Sequence, residues 1–350
     1  KQVDIANYPF VTIEPNIGIV QVPDERVRRL AELSHSAKKI HAVVEFVDIA
    51  GLVKGAAEGQ GLGNKFLSHI KDVDAIAEVI RVFPTEEGAA GKENITHIYG
   101  TIDPVRDIEI IELELILKDL EIAEARMETL EKNVRAGDKT ASIQKEFLEK
   151  LCTGLRKEKR TEKIVRENAA DAERKEIKIL LNELALLTAK PRIFVFNGSE
   201  EQVQNGWTPP AELKEKIGNN PWVLLSAKME DELTALSNEE KTEYLSGLGL
   251  EASGLDQLII LGYKTLHLIT FLTTGEDETR AWTIPDGSTA PRAGRAIHSD
   301  FEEKFIRAEV IGYEKLIEAK SFIKARELGW VRTEGKNYVV KDGDVIEFKI

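Results

Sequence analysis

Four short apolar runs of strand character alternate with helical segments along this chain. They cover residues 43–48, 75–83, 192–196 and 222–225. Strands that alternate with helices predict an α/β fold, in which a mostly parallel sheet is covered by helices on both faces. Ligands of such sheets bind beyond the carboxyl ends of the strands. Asp48, Asn197 and Ser226 each stand where a run ends, so we expect them at a ligand-binding edge.

A glycine-rich segment follows the first of these strands and begins with Asp48-Ile49-Ala50-Gly51. This tetrapeptide fits the D-x-x-G motif of P-loop NTPases. In those enzymes the aspartate holds Mg²⁺, usually through water, and the glycine amide can meet the γ-phosphate. Because the motif is short and frequent by chance, it is a weak indication of nucleotide binding when it stands alone.

Two further loops follow strands in the order that a nucleotide-binding domain requires. Asn197-Gly198-Ser199-Glu200 occupies the place of the base-reading motif N-K-x-D. Ser226-Ala227-Lys228 occupies the place of the short S-A-K loop that closes over the base. Three such loops in the correct order are far more specific than any one of them, although three coincidental loops are the structural alternative. Asn197, Glu200, Ser226, Ala227 and Lys228 are therefore the candidate nucleotide-binding residues.

The middle of the chain changes to a helical pattern with apolar residues at alternating spacings of three and four. These positions are Leu113, Ile116, Leu120, Ala123, Met127, Leu130 and Val134. Such spacing is a heptad seam. Ala136-Gly137-Asp138 interrupts it, and a second helical stretch follows with Phe147, Leu148, Leu151 and Leu155 on one face. The pattern predicts an antiparallel helical hairpin that projects from the body of the protein.

A basic run over 156–163 carries five cations in eight residues. One interpretation is a solvated helix face whose cations pair with carboxylates one turn away. The other is a contact with the phosphate backbone of a nucleic acid. The sequence leaves both interpretations open and favours the first.

From about Leu266 onward the pattern consists of short strands, predicted at 270–273, 278–283, 337–340 and 345–348. Lys341-Asp342-Gly343-Asp344 carries the signal of a hairpin turn between the last two. We therefore expect a separate, small α+β module at the end of the chain.

Composition excludes several classes of protein. Acidic residues outnumber basic ones by 61 to 48, and the resulting net charge of −13 argues against wholesale wrapping of nucleic acid. No apolar run reaches the ~18 residues that would span a bilayer, so no membrane partner is expected. Cys152 is the single cysteine, which excludes an internal disulfide and a cysteine-based zinc site. A reducing cytoplasm is the expected location.

Several longer segments resemble one family. The segment Asn-Tyr-Pro-Phe-Val-Thr-Ile-Glu-Pro-Asn at 7–16 resembles the switch I signature of the Obg-related GTPases. Residues 46–70 are similar to one branch of them, the YchF or Obg-like ATPase family. Residues 280–284 and 297–310 resemble the TGS domain of that family. The resemblance runs essentially from end to end.

The resemblance implies three domains. A Ras-like nucleotide-binding domain would cover 1–105 plus 189–265, a helical coiled-coil hairpin 106–188, and a C-terminal β-grasp TGS domain 266–350. It also implies an Mg²⁺-dependent P-loop NTPase that hydrolyses ATP to ADP and phosphate, switches conformation, and acts at the ribosome in translation or a stress response. Ribosomal RNA is a further implied partner, contacted through the hairpin and the TGS domain.

The resemblance also implies roles for individual residues. Thr12 matches the switch I threonine that coordinates Mg²⁺, and Asp48 matches the aspartate on the Mg²⁺ side. Gly51 would meet the γ-phosphate. Leu52 stands where Ras-like enzymes place the water-orienting glutamine, and a leucine cannot polarise water. His97 matches a loop histidine proposed for this role in the family, and histidine side chains ordinarily titrate near neutral pH, which would suit it. A histidine that only forms local hydrogen bonds is an equally good interpretation.

Base preference can be argued from the chemistry of N-K-x-D. The aspartate of that motif accepts from N1–H and from the exocyclic amine of guanine, whereas adenine presents an acceptor at N1. Glu200 is one methylene longer, and an asparagine can pair with adenine N6 and N7. The family pattern N-x-x-E also goes with ATP, so ATP is the predicted nucleotide. A GTP-specific enzyme remains the alternative, because Asn197 also begins N-K-x-D.

The chain departs from the family in one respect, because no G-x-x-x-x-G-K-[ST] motif occurs in its 350 residues. That loop cradles the phosphates and supplies a lysine and an Mg²⁺-binding hydroxyl. The first residue is Lys1 rather than methionine, so we expect the natural protein to begin further upstream. If the P-loop were truly absent, a non-catalytic scaffold that binds ribosome or RNA would be the better interpretation.

Overall fold

The computed structural model describes residues 17–48, 73–83 and 102–350. Its strands are β1 (Ile17–Gln21), β2 (Lys38–Ile40), β3 (Val43–Val47), β4 (Ile76–Arg81), β5 (Arg192–Asn197), β6 (Trp222–Leu225), β7 (Leu268–Thr274), β8 (Glu278–Pro285), β9 (Arg307–Gly312), β10 (Arg332–Glu334) and β11 (Asp344–Lys349). Its helices are α1 (Glu25–Leu33), α2 (Pro104–Arg135), α3 (Lys139–Leu155), α4 (Thr161–Glu167), α5 (Ala169–Ala172), α6 (Lys175–Leu184), α7 (Glu200–Gln204), α8 (Ala211–Ile217), α9 (Ala227–Thr234), α10 (Asn238–Gly247), α11 (Gly254–Thr265), α12 (Ala290–Gly294), α13 (Ser299–Glu303), α14 (Tyr313–Ala319) and α15 (Phe322–Glu327). A short 3₁₀ turn covers Leu187–Ala189.

The chain forms two compact units, one containing residues 1–17 and 47–254 and the other containing 18–46 and 255–350. This division differs from the predicted three domains. Segment 18–46 joins the second unit because β2 pairs with β8 and because Val27 and Leu30 of α1 lie in that unit's core. The predicted helical hairpin belongs to the first unit.

The first unit is built on a parallel sheet in the order β4–β5–β6. The central strand β5 is buried along nearly its whole length, as expected for a parallel strand that is covered on both faces. Phe194 and Phe196 of β5 are fully buried and pack with Ile80, Ile108 and Leu213. Three of the four predicted strands of the sheet are therefore confirmed.

The fourth predicted strand, β3, has a different partner. It is hydrogen-bonded to β1 in a two-stranded sheet and not to β4, β5 or β6. Its residues alternate in exposure, and Val43 is 47% exposed, so β3 is not the doubly covered strand that its continuous apolar run predicted. A short apolar run does not reveal which strand it will pair with. The prediction that Asp48 follows a strand of the same sheet as Asn197 and Ser226 is therefore wrong.

Helices α2 and α3 form the predicted hairpin. Asp103 caps the start of α2, where its side chain accepts the N–H of Arg106, and Asp138 caps α3 in the same way. Between the helices, Gly137 has a φ of +86°, a conformation that glycine adopts without steric cost. The predicted interruption at 136–138 is confirmed.

The heptad seam is confirmed over most of its length. Ile116, Ala123 and Leu130 are buried, and Leu120, Met127 and Val134 pack against the same cluster. Leu113 is 42% exposed, so the prediction that it begins the seam is wrong. In this first part of α2 the buried side chains are Ile108 and Leu115, which pack toward the sheet and the 3₁₀ turn. The helix therefore changes its buried face where it leaves the sheet.

The basic run at 156–163 is largely paired with carboxylates. Arg156 lies 2.5 Å from Glu124, and Lys159 lies 2.7 Å from Glu167. These two cations are therefore ion-paired, but neither partner lies one helical turn away as the first interpretation predicted.

The second unit contains a six-stranded sheet in the order β10–β9–β11–β7–β8–β2. β11 runs parallel to β7 and β2 parallel to β8, whereas the other neighbours are antiparallel. Helices and loops cover the core residues Leu272, Ile311 and Leu316. The predicted α+β character of this region is confirmed.

One strand of that unit was predicted in the wrong place. Residues 337–340 form no strand, and Val339 makes only an isolated bridge to Thr289. The turn itself is present, because the N–H of Asp344 donates to Lys341 O at 3.1 Å and Gly343 has a φ of +80°. It leads into β11, which pairs with β9 and β7, so the predicted hairpin is wrong.

No helix in the described ranges is both long enough and apolar enough to span a membrane.

Candidate functional site

The two predicted base-reading loops meet at the carboxyl ends of β5 and β6. The pairing of these strands continues into the loops, where Gly198 N–H donates to Leu225 O at 2.8 Å. One step further, the backbone N–H of Ala227 donates to Asn197 Oδ1 at 3.0 Å. The structure therefore brings Asn197 and Ala227 into direct contact, as the parallel sheet predicts.

The loop after β5 is held by a capping box at the start of α7. Ser199 Oγ accepts from Gln202 N–H at 3.2 Å, and Gln202 Oε1 accepts from Ser199 N–H at 2.8 Å. This reciprocal arrangement satisfies two backbone donors at the helix start. Gln202 Nε2 also donates to Val82 O at 3.2 Å, which ties the loop to the end of β4. Glu200 is thereby fixed as the first residue of α7.

Gly198 stands where N-K-x-D has its lysine. A Cβ atom added there would lie 2.9 Å from Leu224 Cδ1 and 3.1 Å from Gln202 Oε1. A side chain at this position would therefore push against β6 and against the capping box. The local packing explains a glycine in this loop.

The loop after β6 is positioned by Ser226, which is buried and caps α9. Its hydroxyl oxygen accepts from Met229 N–H at 3.4 Å. Met229 and Leu233 of α9 are buried in a small apolar cluster, so the helix has a fixed orientation. Ala227 and Lys228 are therefore held in the first turn of a packed helix.

Lys228 and Glu200 form an ion pair across the two loops. Lys228 Nζ lies 2.8 Å from Glu200 Oε1 and 3.7 Å from Glu232 Oε1. The hydrogen bond to Glu200, reinforced by the two carboxylate charges, raises the pKa of Lys228. Lys228 is 75% exposed and Glu200 33%, so this pair is weak in free energy and can rearrange when a ligand arrives.

Gly254 and Glu230, which the sequence did not single out, support the loop after β6. A Cβ added to Gly254 would lie 2.3 Å from Leu225 Cβ and 3.0 Å from Leu225 Cα. The N–H of Gly254 donates to Glu230 Oε1 at 2.7 Å. Gly254 thus packs directly against the last residue of β6, just before Ser226. No signal in the sequence distinguishes Gly254 from the other glycines, because the contact that requires it is made with Leu225 of a different element.

The predicted phosphate and metal residues are only partly within the described ranges. Thr12, Gly51 and His97 lie outside them, whereas Asp48 is described and exposed. Within the described residues no cluster of three or more His, Cys, Asp or Glu side chains could hold a metal ion. The carboxylate of Asp48 and the hydroxyl of Thr12 are hard oxygen donors, the kind of ligand that suits Mg²⁺.

Two family models match the chain. One, YchF-GTPase_C, described as a protein of unknown function, matches residues 268–350. The other, MMR_HSR1, described as a 50S ribosome-binding GTPase, matches residues 1–115. The matches lie at opposite ends of the chain.

Curated relatives match over almost the whole chain. The "Ribosome-binding ATPase YchF" of Bacillus subtilis is 46% identical over 348 residues, which are 98% of this chain and 91% of the relative. The protein of the same name from Escherichia coli O157:H7 is 41% identical and covers 99% of this chain and 92% of the relative. Among solved structures, the YchF GTPase of Schizosaccharomyces pombe superposes with a TM-score of 0.76 at 36% identity, covering 98% of this chain and 90% of that one.

Proposed function

The chain belongs to the YchF family of P-loop nucleotide hydrolases, and on that premise we propose that it is an Mg²⁺-dependent nucleotide switch that prefers ATP to GTP. It hydrolyses ATP to ADP and phosphate and acts on the ribosome, in translation or in a stress response. The relatives named ribosome-binding ATPase support both the partner and the reaction.

One observation carries this proposal for the described residues. The N-x-x-E loop and the S-A-K loop are joined by the 3.0 Å hydrogen bond between Ala227 N–H and Asn197 Oδ1. They lie at the carboxyl edge of a parallel sheet, where such folds bind nucleotides. A scaffold with an idle pocket gives no chemical reason for these residue types to meet there.

The proposed preference for ATP depends on which hydrogen-bond donors and acceptors of the two loops are free to bind a base. Guanine O6 is an acceptor and needs a donor, but Ala227 N–H is already donated to Asn197. The N1–H and exocyclic amine of guanine need an acceptor, but Glu200 is paired with Lys228. A guanine base would therefore have to break two internal contacts.

Adenine makes no such demand on these groups. It offers the N6 amine as a donor and N7 as an acceptor, which match the oxygen and the amide nitrogen of an asparagine. A carbonyl oxygen has two lone pairs, so Asn197 Oδ1 can accept from Ala227 and from the base together. We therefore assign Asn197 as the principal adenine-reading residue and Glu200 as a secondary one.

For the phosphates, we assign Asp48 and Thr12 to Mg²⁺ and the amide of Gly51 to the γ-phosphate. Bound Mg²⁺ would neutralise charge on the β- and γ-phosphates. Because Leu52 cannot orient water, His97 is the assigned water-handling residue, with a purely local hydrogen-bonding role as its equal alternative. Of these five residues only Asp48 is described by the structure, and it follows β3, which lies outside the β4–β5–β6 sheet.

We assign three domains to this function. The nucleotide-binding domain covers 1–105 and 189–265, the helical coiled-coil hairpin 106–188 and the TGS domain 266–350. The central parallel pair β7 and β11, with antiparallel neighbours on both sides, supports a β-grasp assignment for the last. The hairpin and the TGS domain would present the surfaces that contact the ribosome and its RNA, in the cytoplasm and without a membrane partner.

Two other functions remain as competitors. A GTP-specific Obg-type GTPase is favoured by Asn197, which N-K-x-D shares. A non-catalytic scaffold that binds ribosome or RNA is favoured by Leu52, which cannot orient a water molecule.

Ribosome co-sedimentation of the full natural chain tests the switch. We expect the bound fraction to differ between a non-hydrolysable ATP analogue with Mg²⁺ and ADP, with the GTP analogue less effective than the ATP analogue. Asn197→Ala should remove the difference, whereas Asn205→Ala, in the turn after α7, should keep it. Binding that ignores the nucleotide would support the scaffold instead.

A further inference from the structure

A cluster of buried charges lies where the helical hairpin joins the sheet, at the opposite end of β5 from Asn197. We call it the junction cluster, and its members are Glu78 of β4, Arg192 at the start of β5, Glu112 of α2 and Arg160 just before α4. The side chains of Glu78 and Arg192 are 2% and 4% exposed. Charges this deeply buried are costly unless they are well paired, so such a cluster calls for an explanation.

Arg192 lies between two carboxylates that belong to different parts of the unit. Its Nη1 is 3.3 Å from Glu78 Oε2, on the neighbouring strand. Its Nη2 is 3.8 Å from Glu112 Oε1, on the long helix of the hairpin. Arg192 is therefore the only guanidinium of the junction cluster that bridges the sheet and the hairpin through ion pairs to both.

The pairing within the junction cluster is incomplete. Arg160 Nη1 is 3.9 Å from Glu112 Oε1, too long for a hydrogen bond, and Lys216 of α8 approaches the same carboxylate at 3.5 Å. Glu78 Oε1, Arg192 Nε and Arg160 Nη1 have no hydrogen-bond partner among the described residues. A partly satisfied polar network gains little from staying in one arrangement, so a change in one charge can rearrange it.

Glu78 is the member whose charge can change near neutral pH. The pKa of its carboxyl is raised to about 7, mainly by burial and also by the charge of Glu112, against the opposing effect of Arg192 and Arg160. These are the charged groups that face Glu78 from β5, from α2 and from the segment before α4. Because Arg192 lies between the carboxylates of Glu78 and Glu112, a change in the charge of Glu78 changes how Arg192 is shared between them.

We propose that Glu78 is a proton-operated switch at the root of the helical hairpin. With its carboxyl protonated, Arg192 is left to Glu112 and the hairpin is held against the sheet. With its carboxylate ionised, the two acidic groups compete for Arg192 and the junction loosens. The position of the hairpin, and of any surface that it presents, then depends on pH.

The sign of the effect follows from linkage. The pKa of Glu78 in the closed junction, about 7, exceeds the ordinary value of 4.5 that it regains when exposed. The closed junction therefore binds the proton more tightly than the open one. Its extra stability is fully present below pH 4.5 and is lost as the pH rises toward 7. Above pH 7 both states are ionised and the dependence ends.

Hydrogen exchange of the backbone amides of 108–119 in α2 tests this switch on the full chain without nucleotide, so the result is independent of the proposed ATPase function. After correction for intrinsic exchange, protection in the wild-type protein should fall as the pH rises from 5 to 7, by up to about tenfold per pH unit. It should be flat above that range. Glu78→Gln, which mimics the neutral carboxyl, should remain protected throughout.

Two variants sharpen the test. Glu121 lies on the same helix, but its carboxylate is exposed and paired with Lys118. The variant Glu121→Gln should therefore reproduce the wild-type profile. Glu112→Gln removes the carboxylate that Arg192 binds in the closed junction, so the protection of 108–119 at pH 5 should be lower than in the wild-type protein. A flat wild-type profile, or a pH dependence that survives Glu78→Gln, would overturn the proposal.

Discussion

Asn197 Oδ1 accepts a hydrogen bond from the backbone N–H of Ala227 at 3.0 Å, across the two loops that end β5 and β6. The side chain at the end of one strand therefore organises the backbone at the end of the next. Because the acceptor comes from the residue assigned to read the base, the shape of the S-A-K loop and the base preference depend on the same atom.

The acceptor oxygen is what stabilises the loop, so Asn197→Ala and Asn197→Asp should behave differently. Alanine removes this hydrogen bond, which is exposed to water, and should cost about 0.5–1.5 kcal/mol of unfolding free energy. Aspartate keeps an acceptor and should preserve most of that stability, but it loses the amide that donates to adenine N7. Chemical denaturation and ATP titration of both variants separate the two effects. Equal ATP affinity for Asn197→Asp and the wild type would contradict the assigned role.

Breaking the ion pair between Lys228 and Glu200 should weaken the discrimination against guanine. Lys228→Met frees the Glu200 carboxylate to accept from guanine, and the effect should be modest because the ion pair is exposed to solvent. We therefore expect the ratio of GTP to ATP affinity to rise by up to about fivefold. Glu232→Gln removes only the longer 3.7 Å contact of Lys228 and is the matched control. An unchanged ratio in Lys228→Met would show that the pair plays no part in selectivity.

Gly254 should not tolerate a side chain. In Gly254→Ala the new Cβ would meet the Leu225 backbone at 3.0 Å, so the end of β6 must shift, at a cost of about 1–3 kcal/mol. Gly262→Ala on the same helix is the control, because nothing lies within 4 Å of its added Cβ. There the change should stabilise the helix by about 0.5–1 kcal/mol. Thermal unfolding of the two variants should move in opposite directions, and a stable Gly254→Ala protein would refute the packing argument.

Asp119 should be among the most sensitive positions of the hairpin. Its buried carboxylate accepts from Leu187 N–H at 2.6 Å, from Thr188 N–H at 2.8 Å and from Thr161 Oγ1 at 2.9 Å. Asp119→Ala leaves these buried donors unpaired and should destabilise the protein by about 3–5 kcal/mol. Glu121→Gln, two positions away on the exposed face, should change the unfolding free energy by less than about 0.5 kcal/mol. Similar losses for the two variants would contradict this account.

If the hairpin contacts ribosomal RNA, the cations without internal partners should carry that contact. Lys157 and Lys163 form no ion pair within 4.0 Å among the described residues, whereas Lys159 is paired with Glu167. Lys157→Ala combined with Lys163→Ala should weaken ribosome binding and reduce its salt dependence. Lys159→Ala should do so less. If Lys159→Ala weakens ribosome binding as much as the double variant does, the unpaired cations do not carry a larger share of the contact with phosphates.

The sequence was sufficient wherever local pattern and strand polarity decide the structure. The strands before Asn197 and Ser226 were predictable because continuous apolar runs between helices indicate a parallel sheet, and the contact between their loops follows from that polarity. The turn at Gly137 was predictable because the glycine interrupts a heptad pattern. The turn depends on residues close together in the chain, and the loop contact depends on two strands that follow one another in chain order.

The remaining features depend on pairings between distant segments, which a single sequence does not reveal. β3 and β4 have similar apolar runs, yet β3 pairs with β1. The true partners of β11 are β9 and β7, not the segment at 337–340. The junction cluster was not predicted either, because Glu78 and Arg192 are 114 residues apart and look like ordinary charged residues.

Competition of ATP and GTP against a fluorescent nucleotide, with Mg²⁺ and on the full natural chain, tests the central claim most directly. The two base-reading loops predict that ATP displaces the probe at a clearly lower concentration than GTP, and that Asn197→Ala abolishes the difference. Displacement by GTP at the lower concentration would contradict this account and place the protein among GTP-specific enzymes.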